Sequence, residues 1–130
     1  MELNEYQDKA METCMETCDN FSYMMLNLMG ELGELSSKVA KAIRKGYINI
    51  YDNDVVLPAV LSNGDVNPEV NEYLDELFQE LQLEAGDILW ELSGLCYIFG
   101  WRLDEIGQMN LDKLQSRKER GVIDGNGDLR

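Results

Sequence analysis

Apolar residues recur along this chain at spacings of three and four, the period of helices that bury one face. Leu3, Tyr6, Ala10, Cys14 and Thr17 fall on one stripe and predict a first helix over residues 2 to 18. A second helix is predicted from Asp19 or Ser22, either of which suits an N-cap, to Gly46, where Arg44 and Lys45 precede the glycine. Its stripe is Met25, Leu28, Leu32, Leu35, Val39 and Ala42, the pattern of a bundle seam. From Tyr47 to Asn67 the periodicity dissolves, and Val55-Val56-Leu57-Pro58 suits either a strand or an inserted loop. Asn67-Pro68-Glu69 then supplies a cap, a first-turn proline and an early acid, so a third helix is expected to start there. Val70, Leu74, Leu77, Leu81, Glu84, Ile88, Leu92, Leu95 and Phe99 carry it to Gly100, with a candidate break near Gln82. A fourth helix runs from about Leu103 to Arg120, closed by Gly121, and a polar tail occupies residues 122 to 130. The expected fold class is all-α: a four-helix-bundle-type core in a single domain over residues 1–130, with a long loop insertion at about 47–67 between the second and third helices.

Charge sharpens this picture. The 130 residues carry 11 Lys+Arg against 25 Asp+Glu, a formal net charge of −14. Without a continuous basic footprint the chain is not expected to track a nucleic-acid backbone. It has no apolar run long enough to span a membrane and opens Met-Glu-Leu-Asn-Glu rather than on a signal-like segment, so a cytoplasmic protein without membrane partners is expected. There is no His and there are only three Cys, which excludes the usual zinc ligand sets and a disulfide framework. Cys14 and Cys18 are expected to pack in the core or an interface rather than to form a redox pair. The bases cluster in two places, Lys38 to Lys45 and Lys113 to Arg120, while Gly46 to Trp101 holds none and eleven acids.

The acids carry the candidate chemistry. Glu31 and Glu34 sit three apart beside the seam of the second helix, and the same rail continues into Lys38, Lys41 and Lys45. Glu80, Glu84, Asp87 and Glu91 make an acidic rail on the third helix. If these helices pack together, Glu31, Glu34, Glu84 and Asp87 converge, and four carboxylates persist in one small volume only with protons, cations or a bound metal. An oxygen-only ligand set suits a hard cation, Mg²⁺ or Mn²⁺. The bland alternative is that these acids are solvated helix faces, and single E-x-x-E spacings usually are. Glycines at 30, 33 and 86 lie within helices beside the acids, each at a cost of about 1 kcal/mol relative to Ala. Close approach of a backbone or a ligand would account for them.

Gly30-Glu31-Leu32-Gly33-Glu34-Leu35, followed by Glu84-Ala85-Gly86-Asp87-Ile88-Leu89-Trp90, resembles the paired E-x-x-E and E-x-x-D motifs of the MazG-like, all-α nucleoside triphosphate pyrophosphohydrolases. The 49 residues between the pairs exceed the family's usual gap, and the excess coincides with the insertion. Asn110-x-x-Lys113-Leu114-x-x-Arg117-x-x-Arg120-Gly121 resembles the family's fourth-helix segment, and Gly125-Asn126-Gly127-Asp128-Leu129-Arg130 resembles the tail of its short members. Tyr6-Gln7 with Ala10 and Thr13 fits its start.

The resemblance implies Mg²⁺-dependent cleavage of a ribo- or deoxynucleoside triphosphate between its α and β phosphates, giving the monophosphate and pyrophosphate, in nucleotide-pool control or house-cleaning. It also implies a homodimer or homotetramer. On that basis Glu31, Glu34, Glu84 and Asp87 are the expected metal ligands, and Glu34 the expected acceptor of the water proton. Lys38 is expected to act in catalysis and in phosphate binding. Asn110, Lys113, Arg117 and Arg130 are expected to contact substrate, and Trp90 to offer a stacking surface for the base. Tyr97 and Trp101 are further aromatic candidates, and for each of the three the bland alternative is a core or dimer-interface position. Two rivals are weighed. Asp124-Gly-Asn126-Gly-Asp128 has the spacing of a calcium loop, but Leu129 stands where that loop needs Gly and the chain ends before its last acid. The other is a non-enzymatic acidic helical module, an inhibitor or nucleic-acid mimic, which calls for acids spread over an outer surface rather than paired beside a seam.

Overall fold

A computed structural model describes residues 1–56 and 68–127. The described residues form four helices, α1 (Leu3–Met11), α2 (Phe21–Arg44), α3 (Pro68–Ile98) and α4 (Leu103–Glu119), with a small hairpin of β1 (Asn49–Tyr51) and β2 (Asp54–Val56) between α2 and α3. The all-α expectation holds. None of these helices is long and apolar enough to cross a membrane. The chain divides into two compact units, Met1–Met24 with Leu92–Arg130, and Met25–Glu91.

The first helix is shorter than its stripe predicts, ending at Met11 instead of residue 18. Thr13 explains the stop: its hydroxyl and its backbone N–H both donate to the Ala10 carbonyl, at 2.7 and 3.1 Å, taking the acceptor that a continuing helix would offer to Cys14. A second turn follows, with Cys18 N–H donating to the Met15 carbonyl at 2.8 Å. The cap of α2 is then neither Asp19 nor Ser22 but Asn20, whose Oδ1 accepts the Tyr23 backbone N–H at 2.9 Å. At the far end Gly46, at φ +75°, lets Tyr47 N–H reach back to the Ala42 carbonyl at 3.0 Å. The segment left open between strand and loop is partly a hairpin, with Asn49 opposite Val56 and Tyr51 opposite Asp54. Asp52 and Asn53 turn it with φ of 51° and 67°, the paired left-handed geometry whose twist matches two antiparallel strands. Leu57, Pro58, the Asn67 cap and the rest of the insertion lie outside the described residues. No break occurs at Gln82; α3 is one continuous helix.

In the unit Met25–Glu91, Ala42, Ile48, Leu74 and Leu77 form the buried core, with Val39, Tyr47, Val70, Tyr73 and Leu81 packed against it. Tyr47 stacks on Tyr73 at 4.2 Å between ring centroids. The core thus joins the C-terminal end of α2 to the N-terminal end of α3, and the two helices run antiparallel away from it. Most of the expected stripe lies inward, Leu28, Leu35, Val39 and Ala42 on α2 and Leu74 to Ile88 on α3, but the seams depart from it at three positions. Met25 and Leu32 are 37% and 41% exposed, whereas Met24 is buried and Leu28, Glu31, Leu35, Lys38 and Val39 are at least half-buried. On α3 the line Leu74, Leu77, Leu81, Glu84, Ile88 runs on to Glu91, which is 2% exposed, while Leu92 points outward. Beyond the apolar core the seams therefore carry Glu31, Lys38, Glu84 and Glu91 among the apolar Leu28, Leu35 and Ile88.

In the other unit α1 packs with α4. Gln7 of α1 is fully buried and uses its whole amide: Nε2 donates to the carbonyls of Ser93 and Trp101 at 3.3 and 3.0 Å, and Oε1 accepts the Leu103 N–H at 3.3 Å. It fastens α1 to the turn between α3 and α4. Arg102 adds a two-pronged pairing with Asp8, at 2.7 and 2.9 Å. Met24 packs so closely on α3 here that a Cβ at Gly94 would collide with its Sδ. All three cysteines are free thiols, Cys18 and Cys96 buried.

Candidate functional site

Within the unit Met25–Glu91, one turn beyond the apolar core, Lys38 of α2 meets α3. Its Nζ lies 2.9 Å from Glu80 Oε2 and 3.4 Å from Glu84 Oε1. Two turns back along α2, Glu31 reaches the same stretch of α3, and Glu31, Glu84 and Asp87 each bring one carboxylate oxygen within 4.8 Å of the others. Glu31 and Glu84 are half-buried and Asp87 is exposed. The last layer is polar as well: Asn27 Nδ2 donates to Glu31 Oε1 at 3.0 Å and to Glu91 Oε1 at 2.6 Å.

Three of the four acids expected to converge do so. Glu34 is exposed and outside this cluster: it lies about 60° around the axis from Glu31, on the side away from the half-buried Leu28 and Leu35. Its charge is still felt, since burial first, and then the like charges of Glu34, Asp87 and Glu84, push the Glu31 carboxyl above the usual carboxylate range. The glycines beside the acids are not sites of close backbone approach. A Cβ at Gly33 or Gly86 meets nothing within 4 Å, and one at Gly30 meets only Asn27 Oδ1 at 3.8 Å.

The remaining expected substrate residues lie elsewhere in the chain. Trp90 is half-buried on α3. Asn110 and Lys113 belong to the other unit, where with Ile106 and Met109 they line a cavity of about 250 Å³ on α4. Arg117 is buried, 5% exposed, and its Nη2 donates to the Gly127 carbonyl at 3.2 Å, so the tail backbone is one of its partners. Tyr97 and Trp101 are exposed in that unit, with Trp101 stacked on Phe99 at 4.6 Å. Arg130 lies outside the described residues. Asn27 and Glu91 were not foreseen as site residues, although Asn27 sits one turn before Glu31 and Glu91 seven residues after Glu84, positions that continue the two seams.

Partly desolvated, mutually repelling carboxylates with oxygen donors alone fit a hard divalent cation, which would relieve the repulsion that raises Glu31. Burial pushes Glu91 up too, against the opposing hydrogen bond from Asn27. A carboxyl whose folded pKa lies above its unfolded value binds more protons when folded. Its stabilising contribution is complete below the model-peptide value of 4.5 and is lost as pH rises through the folded value. In EDTA the melting temperature is therefore expected to fall as pH is raised above 4.5, and Glu91→Gln to flatten that fall. Melting curves followed by circular dichroism check this; a wild-type midpoint that climbs steadily to pH 8 would contradict it.

The family model of the MazG nucleotide pyrophosphohydrolase domain matches residues 19–122, most of the chain. The chain belongs to the MazG nucleotide pyrophosphohydrolase family. The matched span of this MazG-family chain contains Glu31, Glu34, Glu84 and Asp87, the Asn27 and Glu91 pair, and the α4 residues Asn110, Lys113 and Arg117. It is also 33% identical, over 137 aligned positions covering all of both chains, to the protein named "Gene 37 protein" of Mycobacterium phage L5. No solved structure matches it significantly. Membership of the MazG family carries with it the nucleotide pyrophosphohydrolase class and agrees with the all-α fold.

Proposed function

We propose that this protein is a cytoplasmic, Mg²⁺-dependent nucleoside triphosphate pyrophosphohydrolase that converts ribo- or deoxynucleoside triphosphates to monophosphates and pyrophosphate, acting on the nucleotide pool. The observation that carries the proposal is the convergence of Glu31, Glu84 and Asp87 within 4.8 Å, inside the span matched by the family. These three carboxylates would hold Mg²⁺, with Mn²⁺ as a substitute. The ion, when bound, supplies charge neutralisation at the phosphates and a water of lowered pKa. Glu34, exposed beside the cluster, has its carboxylate in water and accepts the proton of the attacking water. The oxygen of that water forms a bond to the α phosphorus, the bond from that phosphorus to the α–β bridging oxygen breaks, and pyrophosphate leaves.

Lys38 answers a problem of charge. A triphosphate with about four negative charges is repelled by a protein at −14 unless cations meet it locally. Lys38 is a cation at neutral pH, held at the cluster by Glu80 at 2.9 Å and Glu84 at 3.4 Å, from where its ammonium can turn to phosphate oxygens. Asn110, Lys113, Arg117 and Arg130 are proposed to assist binding, and Trp90 to face the base. Exposed apolar side chains on α2 and α4, among them Leu26, Met29, Met109 and Leu111, support assembly as a homodimer or homotetramer.

The test separates a cation-dependent enzyme from an acidic mimic, which presents its acids outward to a basic partner. With millimolar Mg²⁺ or Mn²⁺ the melting temperature is expected to rise by several degrees over EDTA, as for any ligand that binds only the folded state. Glu31→Gln is expected to abolish the rise. No rise in the wild type, together with tight capture of a basic protein in EDTA, would overturn the proposal.

A further inference from the structure

The acid at position 91 has no part in the scheme above, yet it is the most deeply buried carboxylate described, 2% exposed. Its Oε1 accepts from Asn27 Nδ2 at 2.6 Å, and its Oε2 has no hydrogen-bond partner among the described residues. Burying a carboxylate with one oxygen unpaired is costly, so its placement calls for a return elsewhere. The return lies in what Asn27 does with its other hydrogen, which goes from the same nitrogen to Glu31 Oε1 at 3.0 Å.

A side-chain amide has two faces, a nitrogen that donates twice and an oxygen that only accepts. Turned the wrong way, Asn27 would present its oxygen to the Glu31 carboxylate and repel it. A carboxylate at position 91 accepts only, so it draws the nitrogen inward and fixes the amide's polarity. The same nitrogen then holds Glu31 in the conformation from which it reaches Glu84 and Asp87. The two helices each contribute one half of this brace: Asn27 from α2 and Glu91 from α3.

We infer that Asn27 and Glu91 are positioning residues for the cation site: Glu91 orients the Asn27 amide, and Asn27 orients the Glu31 carboxylate. This rests on the proposal that Glu31, Glu84 and Asp87 hold a divalent ion. Ligand-orienting partners of this kind change metal affinity by roughly 10- to 100-fold when removed.

The experiment titrates Mn²⁺ into the full-length protein at pH 7.5 by calorimetry, for the wild type, Asn27→Leu, Glu91→Leu and Glu91→Gln, with melting in EDTA as the check on folding. Both leucine variants are expected to bind Mn²⁺ about 10- to 100-fold more weakly. Glu91→Gln is expected to stay within about threefold of wild type, because the Glu31 carboxylate still demands the Asn27 nitrogen and the new amide can turn its carbonyl to accept from that same nitrogen, which leucine cannot. Wild-type affinity in both leucine variants would overturn the inference while leaving the cation site standing. A glutamine variant as weak as Glu91→Leu would overturn it in favour of Glu91 as a direct ligand. Absence of Mn²⁺ binding by the folded wild type would overturn the cation site and the inference together.

Discussion

Glu84→Gln is expected to lower pyrophosphate release by about 10³-fold, the loss seen when one preorganised electrostatic group is removed from a reaction site. The substitution keeps the side-chain volume and leaves Lys38 its closer partner, Glu80, at 2.9 Å. The fold should therefore survive, with a melting temperature in EDTA within a few degrees of wild type. Glu84 is singled out because it stands where the two helices' charges meet: on the α3 seam, 3.4 Å from Lys38, and within 4.8 Å of oxygens of Glu31 and Asp87. Glu34→Gln makes the useful comparison. As the proposed proton acceptor outside the cluster, Glu34 is expected to be needed for turnover while its glutamine variant still binds Mn²⁺, whereas Glu84→Gln loses both. A Glu84→Gln protein with wild-type turnover would remove the acid cluster from the reaction.

Gln7→Leu is the second large effect, and it falls on stability. Gln7 serves two carbonyls and one N–H with a single buried amide, and leucine fills a similar volume while serving none of them. Withdrawing a buried partner costs about 1–3 kcal/mol for each group left unsatisfied. Counting partial relief, since Ser93 sits within a helix, the expected loss is about 2–4 kcal/mol. It should appear as a lower urea midpoint with the slope unchanged. An unchanged midpoint would show that the joint between α1 and the α3–α4 turn does not depend on this amide.

Much of this architecture was legible in the sequence, because helix ends and seams leave local signals. Arg44-Lys45-Gly46 and Arg120-Gly121 stop their helices where a left-handed glycine is wanted, and both glycines have positive φ. Pro68 starts α3. The seam departures at Met25, Leu32 and Leu92 share a cause: an apolar side chain can face outward where a neighbouring position is taken by the partner surface. Met24 and Met25 are chemically identical neighbours, and only the partner surface selects Met24. Once it does, the seam passes through Asn27, Glu31 and Lys38, and the E-x-x-E pair splits into one inward acid and one outward acid. At the end of the α3 line hydrophobicity favours Leu92, yet it is Glu91 that faces inward, where the Asn27 amide accommodates its carboxylate. The end of α1 hinged on Thr13 competing for a single carbonyl, which no periodicity registers.

The acid cluster itself was foreseeable, since spacing placed Glu31, Glu84 and Asp87 near their seams and the motif pair fixed which acids belong together. The role of the lone glycines was not. Gly33 and Gly86 have open space around them in this fold, so neither helix packing nor a neighbouring backbone explains them.

The most direct test of the central claim is product analysis after incubating the wild-type protein with a panel of ribo- and deoxynucleoside triphosphates in Mg²⁺, Mn²⁺ or EDTA, quantifying pyrophosphate, orthophosphate and nucleotide products together. The expected result is pyrophosphate and nucleoside monophosphate in equal amounts from at least one triphosphate, abolished by EDTA. Orthophosphate with diphosphate, or product formation indifferent to EDTA, would contradict it.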